Sequence, residues 1–160
     1  MNDSGRPLTH RDCLRLLGDP HRRHTAVIAV DDHVPLALAC FVCDGGDMLV
    51  PTGEDPTLTR RATGRPVAVE LSGDGTTAWT IHGVGLARPL SREDRRAAGA
   101  LIGRVPATRP LALRFAFDNG ILVRIARLTG HAYAPADGPV IPAQRTMSAA
   151  AVLNVRSPAH

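Results

Sequence analysis

The sequence predicts a mainly β protein, a small antiparallel barrel with short helices at its periphery. Two observations carry this prediction. Short stretches of β-forming residues alternate with turn signals along most of the 160-residue chain, which is the pattern of a sandwich or barrel. The longest stretch, over 77–88, contains Gly83 and Gly85, and glycines inside a strand mark a bend or the close approach of a neighbour.

The first third of the chain predicts a short helix followed by a β-meander. Thr9 and Asp12 have capping-box spacing at the start of a helix over 9–17, and Gly18 ends it. Three strands follow, over 24–30, 36–43 and 48–50. An Asp-Gly-Gly-Asp turn joins the last two strands, since glycine accepts positive φ without strain. Residues 1–7 are polar, and we expect them to be loose.

The rest of the chain adds further strands and two helices around them. The predicted strands lie over 66–71, 77–88, 111–117 and 121–128, the last ending around Tyr133. The predicted helices lie over 57–63 and 91–102. Ser91 and Asp94 have capping-box spacing at the second helix. From 135 to 160 the periodicity is lost, so we expect one domain over 8–134 and a tail that a partner could order.

Composition limits the classes of partner. All 19 basic residues are arginine, scattered among acidic residues, which favours a solvated surface over a nucleic-acid footprint. Codon usage in a GC-rich genome and an arginine surface for phosphates both remain explanations. Only 3% of residues are aromatic, which leaves no stacking ladder for single-stranded nucleic acid. An interaction protein that uses the arginines and the tail is therefore the weakest hypothesis.

The sequence contains no apolar segment of about 20 residues, the length needed to cross a bilayer. The polar N-terminus is not followed by an apolar signal region. We therefore expect a cytoplasmic protein without a membrane partner, and reduced cysteines.

Cys40 and Cys43 form a C-x-x-C motif, which occurs in zinc sites and in thiol exchange. Residues three apart on a strand point to opposite faces, and the sequence has no second C-x-x-C. Structural thiols are the alternative, and we predict no metal site.

The segment 51–61 is a candidate anion site, because a strand end leads through a loop to a helix start. Backbone N–H groups at a helix N-terminus attract anions. Three hydroxyls and two guanidinium groups accompany them: Thr52, Thr57, Thr59, Arg60 and Arg61. The alternative is a capped helix with a solvated arginine pair.

Several motifs in a fixed order carry a family resemblance. Leu-Leu-Gly comes first, then the Asp-Gly-Gly-Asp turn, a Thr-Gly loop and Arg-Pro-Val-Ala-Val-Glu-Leu. Trp-Thr-Ile-His-Gly-Val-Gly-Leu-Ala-Arg-Pro-Leu-Ser follows at 79–91. Over roughly 8–133 the chain resembles the pyridoxamine 5′-phosphate oxidase-like, FMN-binding split-barrel family, in its small actinobacterial form.

The resemblance implies a split β-barrel with Greek-key-like antiparallel topology, assembled as a homodimer. It implies FMN or the deazaflavin F420 in clefts at the subunit interface, and an oxidoreductase that acts on a small organic substrate. The flavin of such a protein carries the redox chemistry, while the protein orients it and tunes its electronics. The family's phosphate-binding segment falls on 52–61, and Trp79 falls near the dimer and cofactor region.

The chain also departs from its relatives. They often carry Arg-Thr-Gly where this chain has Pro-Thr-Gly at 51–53, and lysine where it has Thr57. Their Asn-Tyr is replaced around 39–41. Arg60 or Arg61 would have to supply the missing positive charge. A second hypothesis therefore stays open, a non-catalytic relative that binds haem or another ligand, or has a regulatory or storage role. No side chain is an obvious catalytic acid or base.

Overall fold

Within the described part of the chain, eight strands form one antiparallel sheet. The computed structural model describes residues 5–20, 22–102 and 117–134. The strands are β1 (Arg6–Leu8), β2 (Arg23–Val30), β3 (Leu36–Val42), β4 (Met48–Gly53), β5 (Pro66–Asp74), β6 (Ala78–Pro89), β7 (Asn119–Ile125) and β8 (Thr129–Tyr133). The helices are α1 (His10–Leu17), α2 (Thr57–Ala62) and α3 (Arg92–Ile102). A mainly β protein with short helices is confirmed.

Six of these strands close into a barrel, and β6 is the strand that closes it. The order around the barrel is β2-β3-β4-β7-β6-β5, with β5 returning to β2. Along one edge of β6, residues 85–89 pair with β7 and residues 78–82 pair with β8. The strands β8 and β1 therefore extend the sheet beyond the barrel.

The glycines of β6 lie where its pairing changes from β8 to β7. A Cβ atom at Gly85 would overlap the backbone carbonyl of Arg124. A Cβ atom at Gly83 would lie 3.0 Å from side-chain carbons of Ile125 and Leu128. The prediction that these glycines admit a close neighbour is confirmed.

The core fills the barrel interior through the alternation of its strands. On β5, Val67, Val69 and Leu71 point inward and are buried, while their neighbours are exposed. Each fully buried aliphatic side chain stabilises the fold by roughly 1.5–3 kcal/mol. A smaller cluster lies outside the barrel, where α3 and the 117 turn cover β4 and β7, and consists of Leu49, Leu90, Ala98, Phe117 and Leu122.

Both predicted capping boxes are present. The Thr9 hydroxyl accepts from the Asp12 backbone N–H at 3.1 Å, and the Asp12 carboxylate accepts from the Thr9 N–H at 3.0 Å. Hydrogen bonds from Thr9 hold the pKa of Asp12 below its ordinary value. At α3, Ser91 and Asp94 make the same reciprocal pair. Helix starts are local features, so the sequence fixes them without reference to the rest of the fold.

Strand pairing corrects the predicted boundaries. The expectation of a loose N-terminus is wrong for Arg6 and Pro7, which pair with β8. The single strand predicted from residue 121 is two strands, β7 and β8, with a break between them. The strands β4 and β5 each run three residues further than predicted. The predicted strand over 111–117 and the tail over 135–160 lie outside the described residues, apart from Phe117 in a turn.

Among the described helices, the longest has 11 residues, and none has the length and apolar character to cross a membrane.

Candidate functional site

A cavity opens where β3 and β4 separate. Only two residue pairs join these strands, Phe41 with Leu49 and Val42 with Met48. The beginning of β3 therefore pairs with β2 alone, and it faces the end of β4 and α2 across a cavity of about 340 Å³. We call this space the β3–α2 cavity. Its size suits a small organic ligand, because such sites usually measure about 300–1,000 Å³.

The walls of the β3–α2 cavity differ in chemistry. The apolar lining comes from β2, β3, their connection and α2, and consists of Ile28, Val30, Val34, Leu36, Leu38 and Leu58. The polar lining comes from the β2–β3 connection, the end of β4 and α2, and consists of His33, Thr52, Asp55, Thr57 and Arg61. An apolar space with a few polar groups on one side is typical of a small-molecule site, where the polar groups fix the orientation of the ligand.

The loop between β4 and α2 is fixed by its own hydrogen bonds. The Thr52 hydroxyl donates to the Asp55 carbonyl at 2.7 Å, and the Asp55 carboxylate accepts from the Thr57 backbone N–H at 2.9 Å. The hydrogen bonds from Thr57, with the nearby positive charges of Arg61 and Arg60, hold the pKa of Asp55 below its ordinary value. An ionised carboxylate therefore already occupies the first N–H of α2.

Three of the six residues predicted to bind a cofactor line this one cavity: Thr52, Thr57 and Arg61. Arg60 is exposed on α2 and is not part of the lining. Thr59 contacts β7 instead, where its hydroxyl donates to the Gly120 carbonyl at 3.1 Å and accepts from the Gly120 N–H at 3.2 Å. Thr59 thus holds α2 against the barrel, and its part in cofactor binding stays a prediction.

The sixth residue, Trp79, lies at the other end of the barrel. It lines a separate cavity of about 610 Å³ with the beginning of β2 and the β5–β6 turn. We call this space the Trp79 cavity. Arg23 lines one cavity and Val30 the other, and seven steps along β2 between them span about 20 Å. The contact of Trp79 with a cofactor therefore stays a prediction.

Solved structures resemble this chain over most of its length. An FAD-binding protein from Mycobacterium smegmatis is 21% identical, with a TM-score of 0.55 over 80% of this chain and 98% of that one. A candidate pyridoxamine 5′-phosphate oxidase from Corynebacterium glutamicum is 16% identical, with a TM-score of 0.55 over 86% of this chain and 99% of that one. The chain has the split-barrel fold.

A flavocytochrome from Azotobacter vinelandii gives the same fold at 12% identity, with a TM-score of 0.55 over 83% of this chain and 72% of that one. These structural similarities confirm the resemblance inferred from the sequence motifs at the level of the split-barrel fold. No family model and no curated protein matches the sequence.

The residues of this split barrel fit a flavin ring better than a flavin phosphate. The apolar walls suit a planar aromatic ring system. Arg61 is a suitable donor for a phosphate, because a guanidinium can bind phosphate through two hydrogen bonds. The Thr57 hydroxyl is already bonded to the Asp55 carboxylate. The Asp55 carboxylate on the same side repels an anion, so the lining fits a ring better than it fits an anionic group.

The C-x-x-C residues of the split barrel lie on opposite faces of one strand end. Cys40 is in the barrel core, and Cys43 packs against the smaller outer cluster. Burial raises the pKa of Cys40 to about 12, and burial followed by the charge of Asp47 raises the pKa of Cys43. Both are protonated thiols at neutral pH. Within residues 5–20, 22–102 and 117–134, no group of three potential ligands is placed to hold a metal ion.

Sequence analysis missed the apolar wall and the role of Asp55. Leu36 and Leu38 alternate along β3, a signal that indicates an inward face but not a cavity. Asp55 stands two residues before Thr57, a spacing typical of a local side-chain cap. That spacing could have shown that the start of α2 is already occupied.

Proposed function

We propose that this split barrel binds a flavin, FMN or the deazaflavin F420, in the β3–α2 cavity. One observation carries the proposal: apolar walls and the Arg61 guanidinium line the same cavity where two barrel strands separate. The proteins of like fold from M. smegmatis and A. vinelandii are named for FAD binding and as a flavocytochrome, which supports the choice of ligand class.

The chain's own residues would bind and orient the ligand. Leu36, Leu38 and Leu58 would contact the ring and exclude water from it. Arg61 would hold the anionic end, beside the Thr57 hydroxyl that is bonded to Asp55. A bound flavin supplies hydride and electron transfer, so the protein would act as an oxidoreductase on a small organic substrate without a dedicated acid or base.

The proposal includes a homodimer. Among the described residues, four large apolar side chains are exposed: Val34, Leu36, Val84 and Leu86. Val84 and Leu86 lie on the outer face of β6, opposite Ala68 and Pro66 of β5. Exposed apolar faces of this kind mark interaction surfaces. A second copy of the chain would cover these exposed side chains.

The proposal keeps the expected cytoplasmic location, with which the three free cysteines are compatible.

A non-catalytic role is the second candidate, and the Asp55 carboxylate is the observation that favours it. Any anionic group loses affinity beside an ionised carboxylate, whereas a neutral group does not. A ligand that presents a neutral group to Asp55, with a regulatory or storage role, would avoid this repulsion. Haem would avoid it only with its two propionates turned away from Asp55.

The first experiment is an absorbance spectrum of the purified full-length protein, with mass spectrometry of any molecule that copurifies. A flavin or deazaflavin band supports the proposal, and a Soret band supports haem. The same sample should have twice the mass of one chain in analytical ultracentrifugation. A monomer contradicts the homodimer.

FMN titration then tests the cavity. Arg61→Ala should weaken FMN binding by about tenfold or more, because a hydrogen bond to a charged group contributes about 1.5–3 kcal/mol. Arg60→Ala is the matched control on the same helix and should have little effect. Asp55→Asn should strengthen FMN binding. Equal affinities for wild type and Arg61→Ala contradict the proposed site.

A further inference from the structure

We propose that the Trp79 cavity is a second ligand site, and that it takes a mononucleotide. It shares no lining residue with the β3–α2 cavity, so it is separate from the proposed flavin site on the same chain. The nearest lining residues on β2, Thr25 and Ile28, are three positions or about 10 Å apart. The volume of the Trp79 cavity, about 610 Å³, lies within the range of small-molecule sites.

Trp79 supplies a positioned aromatic ring. A Cβ atom at Gly73 would overlap the Cε2 and Cζ2 atoms of the indole. The ring therefore lies directly over the Gly73 backbone, where only glycine leaves room for it. The indole borders the cavity, and a base can stack on an aromatic side chain held in place in this way.

Two guanidinium groups supply the site for the phosphate. Arg22 and Arg23 both line the cavity, and neither forms an ion pair with another described residue. Two adjacent cations favour an anion and outnumber the one carboxylate of the lining, that of Asp74. Arginine binds phosphate with two hydrogen bonds.

His24 adds no third charge at neutral pH. Its Nε2 atom lies 3.0 Å from the Leu17 carbonyl oxygen and donates to it. Burial, and then the charge of Arg22, lowers the pKa of His24 below its ordinary value. The positive charge that would bind an anion therefore comes from the two arginines of the lining.

The remaining polar lining suits a sugar between ring and phosphate. Four hydroxyls surround the opening, those of Thr25, Ser72, Thr76 and Thr77. The Asp74 carboxylate is a strong acceptor for sugar hydroxyls and would repel a second anionic group. A ring, one phosphate and a hydroxylated linker describe a mononucleotide, whereas inorganic phosphate would leave Trp79 and Asp74 without a role.

The experiment uses the fluorescence of Trp79, which is the one tryptophan of the chain. Adenosine 5′-monophosphate added to the full-length protein should change the emission saturably, with a Kd below about 1 mM. The double variant R22A/R23A should weaken this binding about tenfold or more, because it removes charge-assisted hydrogen bonds. Adenosine and inorganic phosphate should each bind at least about tenfold more weakly than the nucleotide.

Arg61→Ala is the matched control, since it removes one guanidinium from the other cavity and should leave nucleotide binding unchanged. FMN is also an aromatic phosphate, so each variant is titrated with both molecules. FMN affinity should fall in Arg61→Ala and stay unchanged in R22A/R23A. Circular dichroism should show that both variants keep the fold, because all three arginines are exposed.

No saturable change with nucleotide overturns the proposal, as does unchanged nucleotide affinity in R22A/R23A. Loss of FMN binding in R22A/R23A but not in Arg61→Ala would mean that FMN uses the Trp79 cavity. That result would overturn both the separate nucleotide site and the placement of the flavin in the β3–α2 cavity. If FMN fails to bind while nucleotide binding depends on Arg22 and Arg23, the flavin proposal alone falls.

Discussion

The two ends of the barrel are held together by different kinds of contact. At the α2 end, side chains bond to the backbone across long sequence separations: Thr59 contacts Gly120, and the Asn119 amide donates to the Gly53 carbonyl at 2.9 Å. Arg88 and Asp94 add an ion pair at 2.5 Å at the start of α3. At the other end, the indole of Trp79 lies over Gly73.

This difference decides which polar groups can serve a ligand. At the α2 end the fold already uses Thr52, Thr57, Thr59 and Asp55, so Arg61 remains for an anion. At the Trp79 end, Arg22 and Arg23 have no ion-pair partner among the described residues. The arginines of both cavities are therefore better placed to bind an anion than the hydroxyl groups of the 51–61 segment, which are bonded within the fold.

Leu58→Ala should have the largest effect on stability. Any change in the folded structure should be confined to the α2 end. Leu58 is 7% exposed and joins the barrel core to the β3–α2 cavity. Its truncation should lower the free energy of unfolding by about 2–4 kcal/mol, as for other large-to-small core substitutions. Urea denaturation measures the loss, and the emission of Trp79 in the folded protein should not shift.

Val34→Ala is the control, because Val34 lines the same cavity but is 76% exposed. It should change stability by no more than about 0.5 kcal/mol. Similar losses in both variants would show that Leu58 is not part of the core.

Gly73→Ala should disturb the Trp79 end by a smaller amount. The added methyl group overlaps the indole, which must move, and such overpacking costs about 1–3 kcal/mol. The emission maximum of Trp79 should shift, while FMN affinity at the other end stays the same. Gly75→Ala, in the turn that follows β5, meets nothing within 4 Å, so a loss of equal size there would contradict the steric explanation.

Asp94→Asn should have the smallest effect, and it should depend on pH. Burial opposes ionisation of Asp94, but hydrogen bonds from Arg88 and Ser91 outweigh it and hold the pKa of Asp94 below its ordinary value of 3.8. A carboxylate with a lowered pKa stabilises the fold above the unfolded-state pKa, and this contribution is lost as pH falls through the folded-state pKa.

The variant should therefore lose about 1–2 kcal/mol of unfolding free energy at pH 7. The difference from wild type should shrink as pH falls below 3.8. Urea denaturation at a series of pH values measures this trend. A difference that is constant from pH 7 to pH 2 would exclude ionised Asp94 as its source.

Features that depend on nearby residues could be predicted from the sequence. The capping boxes at Thr9 and Ser91 need only residues three apart, and the Asp-Gly-Gly-Asp turn needs only its own backbone preferences. The placement of Thr52, Thr57 and Arg61 together followed in the same way, because all three belong to one strand–loop–helix segment.

Features that depend on distant partners could not be predicted. Arg6 and Pro7 form a strand only because they pair with β8, which lies about 125 positions further along the chain. Thr59 has the same residue type as Thr52 and Thr57, but its partner on β7 is 61 positions away. The sequence could not show that Trp79 and the predicted anion site lie apart, because that depends on which end of β2 each segment contacts in the folded protein.

By itself, the sequence determined most of the strands, the turns and the capped helix starts, because local backbone preferences and side-chain alternation act over a few residues. The order of its motifs, through their resemblance to a known family, indicated the split-barrel fold. The tertiary structure decided where β3 and β4 separate, which hydroxyls remain for a ligand, and that two cavities lie at opposite ends of β2. Those outcomes depend on strand pairing between distant segments, and pairing is selected by packing of the whole core.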